Sequence, residues 1–471
     1  MINSLPKYIA EKAIALYLVL LLVTPILLGY PMEWYSWLFG VVEVIGFFYF
    51  SKVLSFQWSA YSVKYFERKL FISAFVIRVI YVLFSYWFYT VMTGVPFEFD
   101  AADAGFYNGM GQYGASLILN GDFHLYEKMD EYAGGLGLSD SGYPIYLSVI
   151  YALTGNSIII ARLLKALWSA WTVLLVYRVA YRNFEDSVAR LAAIFCLLMP
   201  NLIFYCGLHL KEVEMLFITV LFIERADFLL RSEKFVFKQV LVLVLIGLSS
   251  FMFRSVLGVV LFLSFFTALV FSSTKVVTWG KRIIVGILAM GVVYVTFSDQ
   301  MASDVEEVWN SKDTVQKTNM NWRAEREGGN SFAKYASAAV FAPLIFTIPF
   351  PTMVAIPGQV NQRLIHGGNF VKNITSFFTI MALFSLLFSG NWRKHVLLLS
   401  FLCGYLVVLV FSSFAQAERF HIPSVPFALM FAAYGISIIT KKQKKWFNGW
   451  LILIFVANIA WSWLKLRGRG M

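Results

Sequence analysis

An apolar run long enough to cross a bilayer recurs from one end of this chain to the other, and that repetition most restricts the fold. A helix needs about 20 predominantly apolar residues to cross the hydrocarbon core. Ala13–Tyr30, Trp34–Phe50, Leu70–Thr93, Ile158–Tyr181, Val188–Tyr205, Asn373–Ser389, Val396–Phe414, Pro423–Thr440 and Trp446–Leu464 all approach or exceed that length. Inside a bilayer every backbone polar group must find its partner within the protein, which makes the helix the natural spanning unit. Charged residues are 14% of the 471, where a soluble chain carries about 25%. The expectation is an all-α polytopic membrane protein, a bundle of roughly 11–14 transmembrane helices with extracytoplasmic juxtamembrane helices. Ala13–Tyr30 lacks a small-residue cleavage site and reads as a retained first span.

The net charge of +12 does not imply nucleic acid as a partner. Its basic residues cluster in short loops between apolar runs: Lys52/Lys64/Arg68/Lys69, Arg231/Lys234/Lys238, Lys275/Lys281/Arg282, Arg393/Lys394 and Lys441/Lys442/Lys444/Lys445. Such loops stay cytoplasmic and orient the spans. Counting crossings from Lys7 and Lys12 puts Gly94–Ser141 outside, and its acidic residues, set against a lone Lys128, agree. A second outer loop is expected over Asp299–Lys334. The chain then divides into an N-terminal membrane module (1–298), that loop (299–335) and a C-terminal membrane module (336–471).

Some segments depart from a simple span. Tyr143–Leu153 is short and reads as re-entrant or steeply packed. Ala336–Ile356 is interrupted by Pro343, Pro349 and Pro351, which a membrane tolerates only against protein or a cavity. Phe237–Ser272 is too long for one helix and reads as two, turning at Arg254. A further span is expected at Ile283–Ser298. Glu43 and Arg78 lie within spans and must face protein, as a mutual pair or at a functional site. Cys196, Cys206 and Cys403 have no metal-ligand spacing and read as packing residues.

The polar stretch Pro96–Asn120, PFEFDAADAGFYNGMGQYGASLILN, holds the first candidates for chemistry. Asp100, Asp103 and Tyr107 share a face at i, i+3 and i+7 if one helix includes all three. A carboxylate there can take a proton from an acceptor hydroxyl, or Asp100 and Asp103 can hold a divalent metal such as Mg or Mn. Simple capping is the plain alternative, with Asp100 as N-cap and Asp103 at N3. Lys211 and Glu212 open a span after a polar turn containing His209. Lys211 can snorkel, or pair with Glu214 three residues on. Arg254 is the only charge between Lys238 and Lys275, and a guanidinium at a membrane face suits a lipid phosphate. Arg419 and His421 read as a similar cation pair at an outer junction.

Several chemistries leave no trace. There is no Walker loop, HExxH or GxSxG. What the chain does carry, in order, is a span, an outer loop with Asp-x-x-x-Tyr, then Gly142-Tyr143-Pro144-Ile145-Tyr146. Ala161-Arg162-Leu163-Leu164-Lys165-Ala166-Leu167 follows, then Leu175-Val176-Tyr177-Arg178-Val179-Ala180-Tyr181-Arg182-Asn183-Phe184. That order resembles the GT-C class of polytopic glycosyltransferases, which includes protein O-mannosyltransferases and lipid A aminoarabinose transferases. The likeness covers about Asp100–Glu224, with an echo at Arg419–Phe427.

The resemblance implies a GT-C-like bundle in a bacterial inner membrane, with its active site on the extracytoplasmic face. It implies a polyprenyl-phosphate-linked sugar donor and a lipid, glycan or protein acceptor. It assigns the acid to Asp103, followed by the aromatic pair Phe106-Tyr107, with Asp100 second. The class often shows Asp-Glu where this chain has Asp103-Ala104. Lys211, Arg254 and Arg419 would stabilise the leaving phosphate. Two other readings fit a many-span chain: an O-antigen-type polymerase working through arginines, and a lipid or polysaccharide transporter with charges in mid-span.

Overall fold

In a computed structural model, residues 4–232, 237–271, 286, 316–326 and 328–471 are described. The expected span Ile283–Ser298 and much of the second outer loop lie outside the described residues. The described residues form helices and loops, with no strand among them. Among the described residues eight helices are long and apolar enough to cross a membrane, and one further pair, Asp186–Leu198 with Pro200–Gly207, passes the same test only when its two bent halves are taken together. The chain is therefore an integral, all-α polytopic membrane protein. Large apolar side chains such as Ile26, Trp34, Leu83 and Phe388 face outward along these helices, as a lipid-facing surface requires.

In chain order, α1 (Lys7–Leu28), α2 (Trp34–Gln57) and α3 (Val63–Thr93) lead into three shorter helices, α4 (Ala102–Leu119), α5 (Leu125–Ala133) and α6 (Leu138–Thr154). Then come α7 (Ile158–Asn183), α8 (Asp186–Leu198), α9 (Pro200–Phe204), α10 (Glu212–Arg231), α11 (Phe237–Phe253) and α12 (Ser255–Phe271). The C-terminal part adds α13 (His366–Phe388), α14 (Val396–Phe411), α15 (Glu418–His421), α16 (Val425–Ser437) and α17 (Lys441–Arg467). Helices from both ends of the chain share one core. Gly435 of α16 permits its closest crossing, because a Cβ there would sit 2.1 Å from the Phe378 carbonyl oxygen.

Two polar faces bound the bundle. On one, Arg178 pairs with Glu67, Arg182 with Glu224 and Asp227, and Phe184 stacks on His395. On the other, Arg363 pairs with Glu33, Asn361 donates to the Phe99 carbonyl, and Lys465 donates to Thr352, Gln359 and Gln362. Lys12 reaches Asn448 near the start of α17, while Leu28 and Tyr30 pack with Leu466 near its end. The first and last spans are thus parallel, and the C-terminus shares a face with the α1–α2 turn.

The short apolar segment resolves as α6, whose two ends lie at one face. It begins with Asp140 against Lys211, and α7 starts again at that level, with Arg162 donating to the Pro96 carbonyl. Together α4 and α6 form a juxtamembrane layer. Gly114 allows the contact, since a Cβ would come within 2.1 Å of Ser148 Oγ. The two spans expected over Phe237–Ser272 are α11 and α12. Arg254 bridges them without losing backbone bonds: its N–H reaches the Ser250 carbonyl at 2.9 Å, and its carbonyl accepts from Leu257 at 3.0 Å.

The intramembrane charges are not a mutual pair; each caps a buried helix end. Pro200 breaks the eighth helix from the ninth at 50°, which frees the last carbonyls of α8. Arg78, fully buried, donates to the carbonyls of Cys196 at 3.2 Å and Leu197 at 3.3 Å, and to Ser169 Oγ at 2.6 Å. At a helix start, Glu43 accepts from the Gly368 N–H at 3.0 Å in the first turn of α13. A negative group suits that end of the helix dipole.

Candidate functional site

Helices α4, α5, α6, α10, α11, α12 and α15 converge at the face that carries the α1–α2 turn. After Gly94 ends α3 in a left-handed turn, the chain crosses the face and Asp100 takes a positive φ of 52°. Only then does α4 begin, with Ala101 as N-cap and no side-chain capping bond. Asp100 is therefore neither cap nor part of the helix, and it is solvent-exposed. Asp103 is one residue earlier in the helix than expected, in the first turn, where the dipole favours a carboxylate. Tyr107 follows one turn later, buried edge-on against Tyr143 with ring centroids 5.2 Å apart.

Asp103 and Tyr107 open onto a cavity of about 530 Å³, and Lys211, Glu212, Arg254 and Arg419 line it too. Phe106, Phe253, Phe414 and Phe420 supply apolar wall. Arg419 pairs with Asp103, the two side chains being 35% and 49% exposed, so this bond lies near the opening. Arg254 and Arg419 both face the Phe420 ring, their guanidinium carbons 4.4 and 5.0 Å from its centroid. Unlike Arg419, Arg254 leaves Nη1 buried with no hydrogen-bond partner. Glu212 leaves Oε2 in the same condition.

Lys211 neither snorkels nor pairs with Glu214. It is buried, bonds to Asp140, and donates to the Phe253 carbonyl at 2.7 Å, tying α6, α10 and α11 together. Burial pushes the Lys211 pKa down and Asp140 opposes the shift. Glu214 instead lies 3.7 Å from Lys165, whose ammonium also donates to the carbonyls of Leu208 and Leu210. The positions i and i+3 are neighbours on a helix, but here burial turns Glu214 toward α7. Asp140 escaped notice in the sequence, where it is one of many loop acids; its place in the first turn of α6 was the available signal.

His421 does not line the cavity. It is buried, with Nδ1 2.7 Å from Lys372 Nζ and Nε2 2.7 Å from the Ala415 carbonyl. With lysine donating to one nitrogen, the other must carry the proton, so His421 braces the loop rather than acting with Arg419 as a second cation. Asp100 is likewise absent from the cavity lining.

Of the two acids expected to hold a divalent metal, Asp103 lines the cavity and Asp100 does not. Among the described residues no three His, Cys, Asp or Glu side chains converge as ligands. The cavity acids Asp103 and Asp140 are each bound to a cation. Compared with known proteins, the chain matches no protein-family model, no curated protein and no solved structure.

Proposed function

We propose that the protein is a membrane glycosyltransferase that moves a sugar from a polyprenyl-phosphate-linked donor to a lipid, glycan or protein acceptor on the extracytoplasmic face of a bacterial inner membrane. The observation that carries this is one cavity joining a membrane-face carboxylate, Asp103, to three cations, Lys211, Arg254 and Arg419. The opposite face gathers basic loops with Lys52, Lys64, Arg68 and Lys69, which favours the cavity as the outer side. The sequence likeness to GT-C enzymes adds a consistent order of motifs. The partners are then membrane lipid, lipid-linked donor and acceptor, and no nucleic acid.

The reaction follows from charge. The acceptor oxygen attacks the anomeric carbon, the bond from that carbon to the phosphate oxygen breaks, and the polyprenyl phosphate leaves with the electron pair. Arg254, already free of a carboxylate partner, meets the phosphate first. Arg419 is shared between Asp103 and the phosphate, and as it turns to the leaving group it frees Asp103 to accept the acceptor's proton.

The polymerase alternative draws on the two arginines around Phe420 but gives Asp103 no part. The transporter alternative loses its main observation, because Glu43 and Arg78 are occupied as helix caps. The test is sugar transfer by purified protein in detergent, from labelled undecaprenyl-phosphate-linked monosaccharides to candidate acceptors. Asp103→Asn should abolish transfer while donor binding persists. Full transfer by Asp103→Asn and Asp103→Ala would remove the carboxylate from the chemistry and favour the arginine-based polymerase.

A further inference from the structure

The reaction above leaves one cavity carboxylate without a task. Glu212 is the first residue of α10, 2% exposed, and its Oε2 is buried with no hydrogen-bond partner. Asp103 bonds to Arg419 and Asp140 to Lys211, whereas Glu212 lies in the field of Arg419 without a hydrogen bond to its Oε2. An ionised carboxylate has about four acceptor positions, and leaving a buried one unfilled is costly. Depth separates the acids as well: Asp103 is half-exposed near the opening, whereas Glu212 lies at the floor. Tyr107 stands among them. Burial and the carboxylates of Asp140, Glu212 and Asp103 push its phenol pKa up, and Arg419 opposes.

We infer that Glu212 recognises the donor sugar, its buried free oxygen accepting hydrogen bonds from ring hydroxyls of the saccharide whose phosphate Arg254 and Arg419 hold. This rests on the proposed glycosyltransferase function and adds a specificity determinant to it. The unpartnered atoms supply complementary halves of one ligand: a guanidinium N–H for phosphate and a carboxylate oxygen for hydroxyl. The sugar then occupies the floor and the acceptor enters past Asp103, which keeps the proton-accepting role apart from sugar recognition. A site built to accept from a hydroxyl discriminates strongly against a ligand that lacks it, because the buried acceptor is then left unfilled.

The test is equilibrium binding to the full-length protein in detergent, using undecaprenyl phosphate alone and a panel of undecaprenyl-phosphate-linked hexoses and pentoses. At least one sugar-bearing lipid should bind about tenfold or more tighter than the bare lipid phosphate. Glu212→Gln and Glu212→Ala should erase that preference and leave the bare-lipid affinity unchanged, which also reports an intact fold. Arg254→Gln should weaken all ligands in parallel. With the wild-type protein, removing single hydroxyls from the preferred sugar should return the affinity toward the bare-lipid value at one or two positions. No sugar preference in the wild type, or a preference that survives Glu212→Gln while transfer is lost, overturns the inference; the second pattern marks a proton acceptor. Failure of the wild type to bind any polyprenyl phosphate overturns the glycosyltransferase function itself.

Discussion

Replacing Arg254 by glutamine removes a guanidinium that faces Phe420 at 4.4 Å and holds Nη1 free of any protein partner. Two contributions separate cleanly. The ring contact stabilises the folded protein by about 0.5–1 kcal/mol at a partly exposed site, so melting should shift only slightly. Hydrogen bonds from a charged donor to a phosphate contribute roughly 1.5–3 kcal/mol, which corresponds to about a ten- to hundredfold loss of lipid-phosphate affinity. Glutamine keeps a donor and much of the length but not the charge. Binding of undecaprenyl phosphate to the detergent-solubilised variant, measured at low and moderate salt, reads the effect directly. An affinity within about twofold of wild type, with the fold intact, would remove Arg254 from the phosphate site and leave its free Nη1 unexplained.

The buried cap is a separate test of the fold: Arg78→Met strands the Cys196 and Leu197 carbonyls at the Pro200 break. Unsatisfied buried groups each cost about 1–3 kcal/mol, so a marked drop in melting temperature is expected, and an unchanged melt would refute the capping role. Disrupting Lys211–Asp140 by Asp140→Asn should loosen the junction of α6, α10 and α11 and lower transfer, while Asp140→Glu restores part of it; equal activity in both variants would contradict the positioning role. Glu98 lies in the polar crossing between α3 and α4, where burial holds its carboxyl above the usual range and Arg162 opposes. The folded protein therefore binds this proton more readily than the unfolded chain, and its contribution is fullest below the ordinary carboxylate pKa and lost as pH rises through the raised one. Glu98→Gln should flatten that part of a pH–stability curve, and an unaltered slope would contradict the assignment.

The bundle was legible because apolar length and loop charge act locally: each span announces itself without reference to another. Arg254 was legible for a related reason, since a lone charge in a long apolar run has to mark a turn or a site. Pairings across the fold were not. Asp103 and Arg419 are brought together by helices from opposite ends of the chain, and nothing local to either says so. Glu43 and Arg78 looked alike as mid-span charges, but their roles depend on which broken helix end each meets. Pro200 marked the break that Arg78 caps, whereas the start of α13 that Glu43 meets carries no such mark. His421 beside Arg419 suggested shared chemistry, yet two residues are about half a helical turn, which sets one side chain toward the cavity and the other toward Lys372. Glu214 and Lys211 are neighbours along the chain, yet each meets a partner from another helix, Lys165 and Asp140.

The most direct measurement is a cryo-electron microscopy map of the full-length protein with undecaprenyl phosphate bound. The phosphate should lie between Arg254 and Arg419 beside Phe420, with the Arg419–Asp103 bond opened. A phosphate seated elsewhere, or a cavity whose Asp103–Arg419 pair is unchanged when the lipid is bound, would contradict the account.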